Sequence, residues 1–247
     1  MFSEERLKRI YELKNRSYER GIFTFTDFLN PTAVAEVCDL FNRSQITAYG
    51  GADFCERQIV RFGNVDELGY DEPFPIAVLK VTLEGGKFAE KVTHRDVLGA
   101  VLNLGIERQK LGDIFVNGNF IYIIADEKVA KLISSDLRSV GRNKVSVEEI
   151  DSLPLTLAPT LTEKQFSVPS NRADAVICKV YNLSREDGAE LFKKGFVTVL
   201  GKVCDKSSKE LKEGDVVAVR GYGKFNFLGV FGNSKKGKPY VSVEIYN

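Results

Sequence analysis

Histidine is all but missing from this 247-residue chain: His94 is the only one. Any Ser–His–Asp or Cys–His mechanism would have to run through it, and no G-x-S-x-G elbow offers a nucleophile. Cysteine is sparse too, with Cys38, Cys55, Cys178 and Cys204 widely scattered and no C-x-x-C pair. That spacing argues against a zinc site and for reduced, mostly buried thiols. Long apolar runs are absent. The longest, Phe120 to Ala125, falls far short of the roughly 20 residues a membrane span needs. The opening MFSEERLKRI is too charged for a secretory signal, so a cytoplasmic protein with no membrane partner is expected, and the sequons at Asn42 and Asn182 carry no weight.

Two strings imitate nucleotide-handling motifs. His94-Arg95-Asp96 has the letters of a kinase catalytic loop, but Val101 stands where the metal-binding Asn belongs and no Gly-rich loop precedes it. Gly232 to Lys238 fits the start of a P-loop, yet Pro239 replaces the Ser/Thr that would hold magnesium, and a strand-like run follows where a helix is required. No catalytic residue, metal ligand or cofactor is expected.

What is present is an ordinary globular composition, 43% hydrophobic and 28% charged, with a net charge of only +1. That total hides an asymmetry. Residues 168–247 carry 14 Lys and Arg against 9 Asp and Glu, while residues 1–167 carry 21 against 25. A basic end joined to a mildly acidic body points to one module that meets a polyanion and another that does not.

The patterning predicts an α+β chain. Residues 1–72 read as a mostly helical region. Ser3 caps a helix over 3–20 whose face is traced by Leu7, Ile10, Tyr11 and Lys14/Tyr18, and Asn30-Pro31 opens a second with Val34, Val37, Cys38 and Phe41 on one side. Residues 46–72 are mixed, with a Gly50-Gly51 turn and a strand-like stretch over 58–62. Residues 73–150 alternate as strand, helix, two strands paired across Asn117-Gly118, helix and strand, the order of a ferredoxin-like or RRM-like sandwich. Phe120 and Tyr122 alternate as base-stacking residues would. The segment NGNFIYII lacks the basic start of an RNP1 motif, so packing is the expected role. Residues 151–167, with Pro154 and Pro159, read as a linker.

Residues 168–247 form the basic module. Ser170 can cap a helix with Ala173, Val176, Ile177 and Val180 on one face, and Asn182-Leu183 breaks it. Ser184 and Asp187 open a second helix, and Gly195 closes it in the left-handed conformation. Strands over 196–200 and 216–220 follow, then a hairpin through Lys235-Lys236-Gly237-Lys238. The basic residues Arg172, Arg185, Lys193, Lys194, Lys202, Arg220 and Lys224 fall at helix ends and turns. The start of the second helix, near Arg185, is a natural phosphate site. Such an arrangement suits recognition of RNA through its phosphates.

Residues 168–225 resemble the S-four RNA-binding domain, named for a small-subunit ribosomal protein. The likeness is carried by Ser170-x-Arg172-x-Asp174, Leu183-Ser184-Arg185 with Ala189, Lys194-Gly195-x-Val197-x-Val199-x-Gly201-Lys202, and Gly214-Asp215-x-Val217-x-Val219-Arg220-Gly221-x-Gly223-Lys224-Phe225. The resemblance implies RNA contacts at Arg172, Ser184, Arg185, Lys194 and Lys202. Ala173 stands where that family has Leu, and Leu200 where Asn is common. The block from His94 to Gly99, with Leu104-Gly105-Ile106-x-Arg108 and Gly112-Asp113-Ile114, resembles the central domain of YlmH-like bacterial proteins. Gly50-Gly51 with Glu56-Arg57 resembles their N-terminal domain. This implies a non-catalytic protein that binds ribosomal RNA on the large ribosomal subunit in quality control of stalled translation, with peptidyl-tRNA and a quality-control factor as further partners. In the middle region, Asp96 is expected to support its own helix start with Arg95 in a local ion pair; the alternative is that Arg95 and Arg108 form a second RNA site.

Two other classes compete. An RNA-modifying enzyme of the pseudouridine synthase type would need an Asp in a G-R-L-D context, which is absent. A methyltransferase would need a Gly-rich loop after a strand of a parallel sheet, and residues 75–150 do not show one. A scaffold for a non-ribosomal partner would respond little to salt, unlike a phosphate-binding protein.

Overall fold

The computed structural model describes residues 3–42, 44–234 and 237–246, with Lys87 described by its backbone alone. The chain forms two compact units, 1–158 and 159–247.

The first unit opens with helix α1 (Glu4–Arg20), where the Ser3 hydroxyl accepts the Arg6 N–H and left-handed Gly21 ends the helix. Its buried stripe is Ile10, Leu13 and Ser17. This differs from the expected stripe, because Tyr11 and Tyr18 face solvent. Strand β1 (Thr24–Phe25), helix α2 (Pro31–Leu40), strands β2 (Ile46–Tyr49) and β3 (Ile59–Phe62) and the short helix α3 (Val65–Leu68) follow. Helices make up most of the regular structure of residues 1–72, and β1, β3 and β2 add a three-stranded sheet. Ile10 and Leu13 of α1 and Val37 of α2 bury against it with Val60 and Phe62. The strand-like stretch over 58–62 becomes β3, whereas the two-residue β1 and the short β2 leave too little pattern to read.

Next come β4 (Ile76–Leu83), α4 (His94–Leu102), β5 (Leu111–Asn117), β6 (Phe120–Asp126), α5 (Glu127–Asp136), β7 (Ser139–Val140) and β8 (Asn143–Ile150). The antiparallel sheet runs β5-β6-β4-β8-β7. Its first four strands have the order of a ferredoxin-like sandwich. Asn117 pairs directly with Phe120, so the tight turn is Gly118-Asn119, one residue later than Asn117-Gly118. Leu79, Val81, Ile121 and Ile123 point to one face and pack on Val97 and Val101 of α4 and Ile133 of α5.

The opposite face, which an RRM leaves open for RNA, is largely covered. Val78, Tyr122 and Ile124 are buried against Phe28, Cys55 and Ile59 from the N-terminal region. Residues 1–72 and 73–150 therefore pack together within the one compact unit. A polar clasp fastens the junction. The Asp113 carboxylate accepts the backbone N–H of Glu56 and, at 3.3 Å, that of Arg57. The Arg57 guanidinium donates to the carbonyls of Leu111 at 2.9 Å and Phe28 at 2.9 Å. Gly50 is required there: a Cβ would lie 2.4 Å from the Arg57 carbonyl oxygen. Burial lowers the Arg57 guanidinium to about 10, and burial beside Asp113 pushes the Cys55 thiol up to about 12. Cys55 and Cys204 are buried, whereas Cys38 and Cys178 are only partly so.

The second unit comprises β9 (Leu161–Ser167), α6 (Ala173–Val180), α7 (Arg185–Lys193), β10 (Val197–Val199), β11 (Lys202–Val203), β12 (Val216–Val219), β13 (Gly223–Asn233) and β14 (Pro239–Tyr246). Its antiparallel sheet runs β11-β10-β12-β13-β14-β9. Val197, Val199, Val217, Val219, Phe225 and Phe227 share the inner face and pack on Val176 and Ile177 of α6 and on Leu191 and Phe192 of α7. Residues 151–167 are not simply a linker. Leu161–Ser167 pairs with β14 from Leu161↔Tyr246 to Ser167↔Tyr240. Most of this edge strand faces solvent, so pairing defines it and hydrophobic pattern does not. In the final hairpin, Ser234 and Lys238 exchange hydrogen bonds, while Lys235 and Lys236 lie outside the described residues.

Candidate nucleic-acid interface

Helices α6 and α7 form the centre of the basic surface. Helix α6 begins at Arg172, not Ser170, and no side chain caps it. The backbone N–H groups of Ala173 and Asp174 instead donate to the carbonyls of Lys209 at 2.8 Å and Ser207 at 3.1 Å. A loop from later in the chain thus satisfies this helix end, which no local motif could reveal. The Arg172 guanidinium forks onto the Asp174 carboxylate at 3.1 and 2.7 Å.

Helix α7 begins at Ser184, whose hydroxyl accepts the Asp187 N–H at 3.1 Å and donates to the Asp187 carboxylate at 2.7 Å. With Glu186 and Asp187 in its first turn, this helix end is already compensated by its own carboxylates. That weakens the expectation of a phosphate on its N–H groups and leaves the Arg185 side chain as the cation there. At the other end, Gly195 at φ 66° donates to the Phe192 carbonyl and Phe196 to that of Leu191. This Schellman closure projects Lys193 and Lys194 outward, both exposed. Lys194 pairs with Glu190 at 2.7 Å on the surface.

A groove of about 490 Å3 runs between α6 and α7, with Arg172, Lys179 and Arg185 among its walls. Lys179 was not singled out from sequence; its signal was an exposed position opposite Val176 and Ile177 on α6. The helices approach closely because Gly188 faces Cys178, where a Cβ would come 2.4 Å from the sulfur.

The eight expected contacts divide between two surfaces. Arg172, Ser184, Arg185, Lys193 and Lys194 belong to the helices. Lys202 pairs with inward-facing Val199, which places it on the helix side at the exposed edge. Arg220 and Lys224 have the opposite parity, because their neighbours Val219 and Phe225 point inward. Arg220 lies over the Phe196 ring at 5.1 Å and Lys224 over the Tyr246 ring at 4.1 Å. These two belong to the outer face of the sheet.

In the first unit, Asp96 completes a capping box with Thr93, accepting its N–H and hydroxyl, and these bonds hold its carboxyl below the usual carboxylate range. Arg95 is exposed at the start of α4 and, among the described residues, has no ion pair. Arg108 turns inward and donates to the carbonyls of Leu111 at 2.7 Å and Gly112 at 3.2 Å. Arg95 borders a groove between α4 and the β7 region whose walls do not include Arg108. Tyr122 is buried, and half-exposed Phe120 carries the Lys80 ammonium 5.2 Å above its ring, with Glu148 bonded to that ammonium at 2.6 Å. The uncovered part of the sheet is thus held in an ion pair.

Among the described residues no group of three or more His, Cys, Asp or Glu side chains could hold a metal ion, and no helix is long and apolar enough to cross a membrane. Residues 70–153 match the family described as the putative RNA-binding domain in YlmH. Over 239 residues the chain is 29% identical to the ribosome-associated protein quality control protein P2 of Bacillus subtilis strain 168, spanning 94% of this chain and 91% of that protein. It is also similar to the solved structure of the cell division protein ylmH from Streptococcus pneumoniae, at 26% identity and a TM-score of 0.47, covering 63% of this chain and 95% of that one.

Proposed function

We propose that this chain, similar over most of its length to a YlmH-type ribosome-associated protein, grips structured ribosomal RNA on the large subunit through its C-terminal unit, an S-four-type module. In this reading it acts by binding alone. It serves quality control of stalled translation in the cytoplasm, where peptidyl-tRNA and a quality-control factor are its further partners. The observation that carries the proposal is the helix-side cluster: Arg172 and Arg185 border one groove, with Lys193, Lys194 and Lys202 exposed on the same side of the sheet. Guanidinium forks beside compact ammonium groups, on a helix pair in which α7 is fixed by its Ser184 cap and a Schellman closure, suit a phosphate backbone of fixed shape.

The Arg185→Glu, Lys194→Glu double variant tests this. Both side chains are exposed, and the Lys194–Glu190 pair is worth only about 0.3–0.5 kcal/mol, so the fold should tolerate the change. The expected outcome is loss of co-sedimentation with large ribosomal subunits at an unchanged melting temperature. Retained co-sedimentation would remove the helix side as the RNA face. Affinity of the wild-type chain should also fall steeply with salt, and a flat response would favour a protein scaffold.

A further inference from the structure

Glycine in the interior of an exposed helix is destabilising, so each such glycine needs a reason. Gly188 in α7 has one inside the molecule, the close approach of Cys178. Gly99 in α4 has none: its helix buries Val97 and Val101, while a Cβ at 99 would meet no atom within 4 Å. The space above it is open. It forms part of a groove of about 570 Å3 between α4 and the segment from Asp136 to Gly141. Arg95 stands on one wall and Arg138 on the other.

We propose that this groove is a second docking site for an RNA sugar-phosphate backbone, with Gly99 as the floor that lets the backbone approach and Arg95 and Arg138 as phosphate ligands. It rests on the RNA-binding reading above and assigns that binding, within residues 70–153, to the helical face and not to the sheet.

The charge arrangement fits this occupant. The two carboxylates in the groove are engaged locally, Asp96 by Thr93 and Asp136 by the Ser135 hydroxyl at 2.7 Å. Neither arginine has an ion pair among the described residues. Residues 131–144 carry Lys131, Arg138, Arg142 and Lys144 against Asp136 alone. Arginine forks match phosphate oxygens, and the Asn103 amide in the same wall can donate to a phosphate or a ribose hydroxyl. Among the described residues no aromatic side chain lines the groove, so these walls lack the anchors that dominate protein–protein hot spots. The sheet side is unsuited to RNA, being covered by the N-terminal region or held in the Lys80–Glu148 pair.

The test uses the full chain and a fluorescently labelled RNA duplex, titrated over a salt series. Gly99→Ala should raise the melting temperature by about 2–4 °C while weakening binding roughly fivefold, because the methyl group fills the floor. Arg95→Glu with Arg138→Glu should weaken binding roughly tenfold and flatten the dependence of log affinity on log salt by about 1–2. The same changes are made in the Arg185→Glu, Lys194→Glu background. A further loss there supports the groove whether or not the C-terminal assignment holds. A lower melting temperature for Gly99→Ala would overturn the proposal, since the glycine would then serve the fold. Wild-type affinity in both Gly99→Ala and the arginine pair would overturn it as well.

Discussion

Leu200 occupies a position that its side chain does not favour. With φ at 51° and Gly201 at 77°, it begins the two-residue turn between β10 and β11, where Val199 pairs with Lys202. Asn-Gly is the preferred pair for such a turn, and a left-handed non-glycine residue costs about 1–2 kcal/mol. Leu200 is 51% exposed, so little packing offsets that strain. Leu200→Asn is expected to raise stability by about 0.5–1 kcal/mol, read as a higher urea midpoint; an unchanged or lower midpoint would reveal a compensating contact. The same scale shows how far candidate site residues can be judged from sequence. Arg185, at a helix start, is exposed where its local pattern placed it. Arg108 has an equally suggestive sequence setting, but its fate is decided by carbonyl groups that only the folded chain brings beside it. Short-range capping can be read locally; the direction of a long side chain cannot.

Among the elements, those with a local cause were legible. The Ser3 cap of α1, the Asn30-Pro31 start of α2 and the Gly195 closure of α7 each depend on a few adjacent residues. Strand β9 is the counterexample. Its residues are mostly solvated, so its conformation is dictated by β14, nearly eighty residues away. That dependence has a measurable consequence for where the C-terminal unit begins. A fragment of residues 159–247 is expected to melt in one cooperative transition. A fragment of residues 168–247 lacks β9 and leaves β14 as a bare edge, an invitation to intermolecular pairing. It should melt lower and aggregate, as followed by circular dichroism and light scattering. Equal stability of the two fragments would make β9 a passive attachment.

For the molecule as a whole, the N-terminal and middle regions expected from sequence pack into one compact unit, residues 1–158. Covering the middle sheet with Phe28, Cys55 and Ile59, and fastening it through Arg57 and Asp113, makes the N-terminal region part of the same cooperative body. Residues 1–158 should therefore unfold in a single transition. Residues 73–150 made alone expose Val78, Tyr122 and Ile124 and are expected to bind a hydrophobic dye and show no sharp melt; a sharp one would separate the two regions energetically. The ferredoxin-like order was readable because its strands and helices alternate with clear periods, whereas the cover on its sheet comes from distant segments. The pairing of β9 with β14 also bears on the timing of synthesis. The first strand of the C-terminal unit has no partner until the last strand has been made, so that unit completes its sheet only after the residues before it have had time to fold. During translation the sheet beneath the basic surface thus reaches its final form only once β14 has emerged to meet β9.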